Sequence, residues 1–253
     1  IKTDWPKSVI NEANKLKLNK EEDGHYKDLR DKTFVTIDGK SAKDFDDAVL
    51  GEKDKDGNYI LYVAIADVAR FVKQGSVIDL EAAERGTSVY FTQKVVPMLP
   101  EIISNDLCSL RPNEDRFCLV CKTIVDKDGT LKNSTFFEAL INSKARLTYE
   151  RLSDEIEQNK LHKIYSKSIK NLLEIYERLK RNKEKRGALE LEVPFYVPKF
   201  NNDKILKFIS SPRTLSHMMI EEFMLAANIA TAEICLKFNM PSLYRVHPKP
   251  DLL

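Results

Sequence analysis

The chain lacks three features that would place it quickly. It has only four cysteines in 253 residues, in no regular spacing. That pattern offers no disulfide framework, and a reducing, cytoplasmic setting is expected. It has no apolar run long enough to span a bilayer and no signal-peptide pattern at its start, so no membrane role is expected. It also lacks a charge excess. Its 41 Lys and Arg face 39 Asp and Glu, for a formal net charge of +2, so any surface for a polyanion must come from local clustering. Repeats and low-complexity segments are absent. What remains is 42% apolar and 32% charged residues, a globular balance in a chain long enough for one or two domains with a sizeable core. The one C-x-x-C, Cys118 to Cys121, falls in a strand-like run, where two residues three apart face opposite ways. It is not expected to hold a metal or form a redox pair.

The densest chemistry lies between Phe34 and Val49, where Asp38, Asp44, Asp46 and Asp47 crowd into one short window beside Ile37, Phe45, Ala48 and Val49. Phe34 to Ile37 has the β-branched content of a strand ending at a Gly-containing turn, and Asp44 to Leu50 reads as a second extended piece. In that piece Asp44 and Asp46 share a face, Asp47 points the other way unless the chain bends, and Asp38 can come round to meet them. Two unit charges ~4 Å apart cost roughly 4 kcal/mol at an effective dielectric of ~20. Four such groups therefore stay together only if some are protonated or a divalent cation holds them. All-oxygen ligands suit Mg²⁺ or Mn²⁺ rather than zinc. On residue chemistry alone a solvated acidic turn stays open as well.

The remaining pattern is α+β. A charged amphipathic helix with Val9, Ile10, Ala13 and Leu16 on one side occupies the lead-in segment, residues 1–25. A buried central strand is expected over Tyr59 to Ala66, a short helix over Ser76 to Gly86, and a hairpin of Phe117 to Val125 with Leu131 to Arg146 around an Asp126–Gly129 turn. Helices follow over Tyr149 to Glu157 and Lys160 to Arg186, then extended pieces around Pro194 and Pro198. The second of these helices ends in a basic run from Lys180 to Arg186, which suits the helix dipole and is also the best local candidate for contacting phosphates. Pro212 to Phe238 is apolar almost all round, as a buried helix is. Its polar members His217, Glu221, Glu222 and Asn228 therefore need reasons: a buried Glu is either paired with an Arg from elsewhere or reads a ligand hydroxyl.

Several stretches, taken in order, resemble the catalytic domain of the ribonuclease II/ribonuclease R family, the RNB exoribonucleases, with the ribonuclease R branch the nearer. They are Asp28-Leu-Arg-Asp31, Val35-Thr-Ile-Asp-Gly39, Asp44-Phe-Asp-Asp-Ala48, Val63-Ala-Ile-Ala-Asp-Val68, Gly86-Thr-Ser-Val-Tyr-Phe91 and Val96-Pro-Met-Leu-Pro100. Leu107-Cys-Ser-Leu110, Ala145-Arg-Leu-Thr-Tyr149, Ile220-Glu-Glu-Phe-Met-Leu-Ala-Ala-Asn228 and Tyr244-Arg-Val-His247 continue the order. The resemblance implies a mixed sheet packed against helices with a long buried C-terminal helix, and residues 26–253 as the N-terminal and central part of such a domain. It implies a hydrolytic exoribonuclease that shortens single-stranded RNA from its 3′ end, releases nucleoside 5′-monophosphates and does not act on DNA. Asp38, Asp44, Asp46 and Asp47 would hold one or two Mg²⁺ or Mn²⁺ ions, Asp46 and Asp47 closest to the chemistry. Tyr90 and Tyr149 would contact the terminal nucleotides, and Glu221 or Glu222 the ribose hydroxyl. Two departures qualify this. The small β-barrel RNA-binding domains that flank the family's catalytic domain are not in this sequence, and it stops at Leu253, before the family's Arg-rich segment. A catalytically incompetent RNA-binding fragment is therefore the alternative expectation.

Overall fold

A computed structural model describes residues 2–18, 25–92, 94–188, 195–201, 204–244 and 246. Pro194, Arg245 and His247 lie outside these residues. The chain runs α1 (Lys7–Ala13), β1 (Lys27–Asp28), β2 (Val35–Asp38), β3 (Asp47–Lys53), β4 (Tyr59–Ala66), α2 (Val68–Phe71), α3 (Val77–Arg85), β5 (Val89–Tyr90) and β6 (Val95–Val96). A π-helical turn, Ile103–Leu107, then leads to β7 (Asp115–Val125), β8 (Leu131–Asn142), β9 (Ala145–Thr148), α4 (Tyr149–Glu157), α5 (Ser166–Lys185), β10 (Tyr196–Asn201), β11 (Lys204–Ser210) and α6 (Leu215–Lys237).

Seven strands form one mixed sheet in the order β1-β8-β7-β4-β3-β2-β9. The expected central strand β4 lies between β3 and β7, antiparallel to both. β9 runs parallel to β2 at the far edge. β8 and β9 are separated by five strand steps in that order, about 24 Å across a flat sheet, yet Ser143 and Lys144 alone join them, a reach of about 11 Å. The sheet therefore curls strongly, bringing its edges together. Lys144 N–H donates to the Phe34 carbonyl (2.8 Å) at the join.

The strands bury both faces. Val35, Ile37, Val49, Leu61 and Val63 meet Leu152 of α4, Ile169, Leu172 and Ile175 of α5, and Met219, Ile220 and Phe223 of α6. The alternate residues Ala48, Leu50, Tyr62, Ala64, Cys118 and Val120 meet Val9 and Ala13 of α1, Ile78 of α3 and Ile103. Cys118 and Cys121 fall on opposite faces, as their spacing requires. Ser76 caps α3 by accepting from Asp79 N–H, and Gly86 follows it with φ of 73°. Thr148 caps α4 in the same way, accepting from Arg151 N–H. Both are ordinary helix boundaries.

The α+β class and the mixed sheet packed on helices are as expected; two strand boundaries and the burial of α6 differ. The extended run to Arg146 breaks into β8 and β9, because the Ser143–Lys144 backbone bonds elsewhere. The second acidic piece becomes strand only at Asp47, with Asp44 and Asp46 in the preceding loop. α6 is buried on one side, through Ser216, Met219, Ile220, Glu222, Phe223, Ala226, Ala227 and Ala230, while Leu225, Ile229 and Leu236 are exposed.

Candidate active site

The four aspartates gather at one end of the sheet. Asp38 closes β2 and is paired in register with Thr148 of β9. Asp47 opens β3 opposite Ile65. Asp46 is anchored by its carbonyl, which accepts from Ala66 N–H (2.9 Å). Asp44 sits in the loop, where its Oδ2 accepts from the Tyr90 hydroxyl (3.2 Å).

Asp38 and Asp47 are partly withdrawn from water, Asp46 is more exposed, and the carboxylates feel one another. Burial, then Asp47, with smaller contributions from Asp44 and Asp46, pushes Asp38 up to about 7, against the opposing pull of the Arg146 guanidinium. Burial and Asp46 push Asp47 up to about 6, and burial and Asp44 raise Asp46. Asp38 Oδ2 and Asp47 Oδ2 are buried without a hydrogen-bond partner among the described residues. Buried carboxylate oxygens are normally satisfied, so these two have the chemistry of cation ligands. Among the described residues no three Asp, Glu, His or Cys side chains stand close enough together to hold a metal ion. Closer convergence of four carboxylates needs positive charge among them.

Tyr90 and Tyr149 approach from opposite sides in sequence. Tyr90 lies on the two-stranded β5–β6 ribbon with 66% of its surface exposed. Tyr149 begins α4 one residue after the partner of Asp38; burial, then Asp38 and Asp47, pushes its phenol up to about 12. Its ring stacks on His217 of α6, centroids 3.8 Å apart at 18°. The Ser216 hydroxyl donates to the Tyr149 carbonyl (2.5 Å) and bonds Ser153 of α4 (2.6 Å). α6 is thereby fastened to the carboxylate end of the sheet.

The two glutamates separate clearly. Glu222 is 7% exposed and pairs with Lys183 of α5 at 2.8 Å. Its role is structural, and it occupies one member of the basic run; Lys185 of that run pairs with Asp128 (3.3 Å). Glu221 follows His217 by one helical turn, so it lies on the Tyr149 side of α6. Its side chain is 45% exposed and pairs with Arg213. Three positioning groups had no role assigned from the sequence: His217, noted there only as a polar residue on an apolar helix, stacks on Tyr149; Ser216 is a tie; and Arg146 donates to the Gly39 and Lys40 carbonyls (both 2.8 Å) beside Asp38.

A curled mixed sheet carries an aspartate cluster at one end, with Tyr90 bonded to Asp44 and Tyr149 beside Asp38. Residues 26–252 match the RNB domain family, and the chain belongs to that family. It is 43% identical over 262 residues to ribonuclease R of Vibrio parahaemolyticus, covering 100% of this chain and 31% of that protein. It is 41% identical over 254 residues to ribonuclease R of Escherichia coli, covering 98% and 31%. Its fold matches Mycoplasma genitalium RNase R in complex with ribose-methylated single-stranded RNA with a TM-score of 0.94 and 32% identity, over 99% of this chain and 40% of that one. The chain thus spans about a third of the length of these curated relatives.

Proposed function

We propose that this chain carries the carboxylate centre of a hydrolytic exoribonuclease that removes nucleotides from the 3′ end of single-stranded RNA and releases nucleoside 5′-monophosphates. The observation that carries the reading is the gathering of Asp38, Asp44, Asp46 and Asp47 at adjoining strand ends, with buried Asp38 and Asp47 oxygens left unpaired. These four would hold Mg²⁺ or Mn²⁺. When bound, such ions supply an activated water and charge stabilisation at the attacking and leaving oxygens of a phosphodiester. The similarity to a ribonuclease R bound to single-stranded RNA supports the substrate class.

The chain's own residues give the rest. Tyr90 offers an exposed ring tethered to Asp44, so a base stacked on it is brought to the carboxylates; such stacking contributes ~1–3 kcal/mol and tolerates any sequence. His217 already covers one face of Tyr149, so Tyr149 acts through its hydroxyl and its other face. Glu221, on the same side of α6 and half-exposed beside Arg213, would accept a hydrogen bond from the ribose 2′-hydroxyl, the group that separates RNA from DNA. Glu222 is committed to Lys183. Flanking small-barrel domains in the full-length protein would extend the RNA path.

That no three of these carboxylates stand close enough together to hold a metal ion among the described residues favours a second reading, an RNA-binding module that does not turn over. One experiment separates the two. A 5′-labelled single-stranded RNA is incubated with this chain, and with a form extended to the length of its relatives, in Mg²⁺ or in EDTA. A ladder shortening from the 3′ end only in Mg²⁺ supports the enzyme. RNA retained intact by both forms supports the module.

A further inference from the structure

Between the end of β2 at Asp38 and the start of β3 at Asp47, the chain leaves the sheet, and two of the four carboxylates, Asp44 and Asp46, depend on where this loop lies. Within it, Ala42 N–H donates to the Gly39 carbonyl (3.1 Å). The later half is held from outside. The Ser109 hydroxyl donates to the Lys43 carbonyl (2.8 Å) and accepts from Phe45 N–H (3.1 Å). Leu110 N–H then donates to the Phe45 carbonyl (2.9 Å). One hydroxyl thus grips the peptide groups on both sides of Asp44, and the next residue grips the peptide that leads into Asp46.

The clamp is rigidly mounted. Ser109 is fully buried. It follows the π-helical turn, where Cys108 N–H donates to the Ile103 carbonyl (2.9 Å) and Ser109 N–H to the Asp106 carbonyl (3.1 Å). The buried Arg116 braces that turn through Nε to the Asp106 carbonyl (3.0 Å) and through its guanidinium to Glu114 (2.7 Å). At the other end of the loop Arg146 holds Gly39 and Lys40, and its guanidinium stands 5.5 Å from the Phe45 ring centroid.

We propose that Ser109 is a positioning residue of the carboxylate centre: by fixing the backbone on either side of Asp44 it sets the spacing of Asp44 and Asp46, and hence the affinity of the site for a divalent cation that Ser109 itself never touches. The proposal rests on the reading that the four aspartates hold such a cation. A serine present only for packing is replaced by alanine without consequence for the loop. Here alanine leaves the Lys43 carbonyl and the Phe45 N–H without their partner inside the protein, and the loop must move to satisfy them.

The test is Mn²⁺ binding by titration calorimetry to the wild-type chain, Ser109→Ala, Ser109→Thr and Asp46→Asn, with amide hydrogen exchange at Phe45 and thermal unfolding in EDTA measured alongside. Ser109→Ala should bind Mn²⁺ on the order of tenfold more weakly and exchange its Phe45 amide faster, and Ser109→Thr, which keeps the hydroxyl, should recover both. Wild-type Mn²⁺ affinity in Ser109→Ala, with or without a change in melting temperature, overturns the proposal. If Ser109→Ala does not fold, Ser109→Cys keeps the size while weakening both hydrogen bonds and must show the same loss of affinity; wild-type affinity there also overturns it. If the wild-type chain binds no Mn²⁺ at all, the cation reading itself fails and the proposal goes with it, an outcome distinct from the failure of Ser109 alone.

Discussion

The seven-stranded sheet and the β10–β11 hairpin use similar residues to opposite ends. In the sheet, Leu61 is fully buried, with strands on both sides and helices beyond. In the hairpin, Pro198 lies opposite Phe208 in an antiparallel pair, but Phe208 is 63% exposed and Tyr196, Ile205 and Leu206 are exposed with it. β-Branched and aromatic content makes a strand in both places. Only the layers packed against the first make it a core. The carboxylates sit at the end of the sheet that is packed on both faces, where the geometry of a site can be kept.

The largest effect expected from disturbing the held region is on chemistry. Asp46→Asn keeps the side chain's size and its backbone bond to Ala66 while removing a charge from the cluster. RNA degradation should fall by at least roughly 100-fold, the scale of losing a group that acts at developing charge, with RNA affinity within about threefold of wild type in filter binding. Joint loss of binding and cleavage would make Asp46 a structural residue.

Next comes the support behind the sheet. Gly129 ends the β7–β8 turn with φ of 77°, and a Cβ there would lie 2.1 Å from the Arg178 carbonyl oxygen of α5. Gly129→Ala combines left-handed backbone strain with a collision against helix backbone, for a loss of roughly 2–4 kcal/mol in urea denaturation. A loss under about 0.5 kcal/mol would mean that α5 is not fixed against that turn.

How much of this was legible depended on whether the cause was local. β4 and α4 were readable to the residue, the first from its continuous apolar run and the second from the change to helical character after Leu147. The break between β8 and β9 was not, because Ser143–Lys144 contains no Gly or Pro and is set by a bond to the distant Phe34 carbonyl. Asp44 to Leu50 looked like one extended piece; the ladder starts at Asp47 because Phe45 bonds Ser109 and Leu110 instead. The aspartate window was visible as a charge problem and as a family resemblance. The neighbouring glutamates could not be told apart by helical spacing, and Lys183, far off in sequence, separates them.

A pH measurement reaches the held region more gently. Asp38, pushed up to about 7, binds its proton more tightly in the folded state than in the unfolded one, whose value lies near 4. The folded state is therefore penalised progressively as pH rises from about 4 through 7, and the penalty is complete above that. In EDTA, Asp38→Asn should raise the melting temperature at pH 8 by about 3 °C, roughly 1 kcal/mol after discounting for partial exposure. It should also flatten the change between pH 5 and 7. An unchanged slope would show that Asp38 is well solvated when the protein is free of cations.

The smallest effect tests the other half of the comparison. The hairpin packs chiefly on itself, and a two-stranded ribbon contributes little to a global transition. Phe208→Ser removes a large apolar side chain, the kind of change that is costly in a packed core, but here most of that side chain's surface already faces solvent. Urea denaturation should place the variant within about 0.5 kcal/mol of wild type, the range of ordinary surface substitutions. A loss of several kcal/mol would mean that Phe208 is covered in solution, and the hairpin would then belong with the sheet as a packed element. Near-neutrality would separate what makes a strand from what makes a core, since the residue type that is indispensable between layers would be dispensable without them.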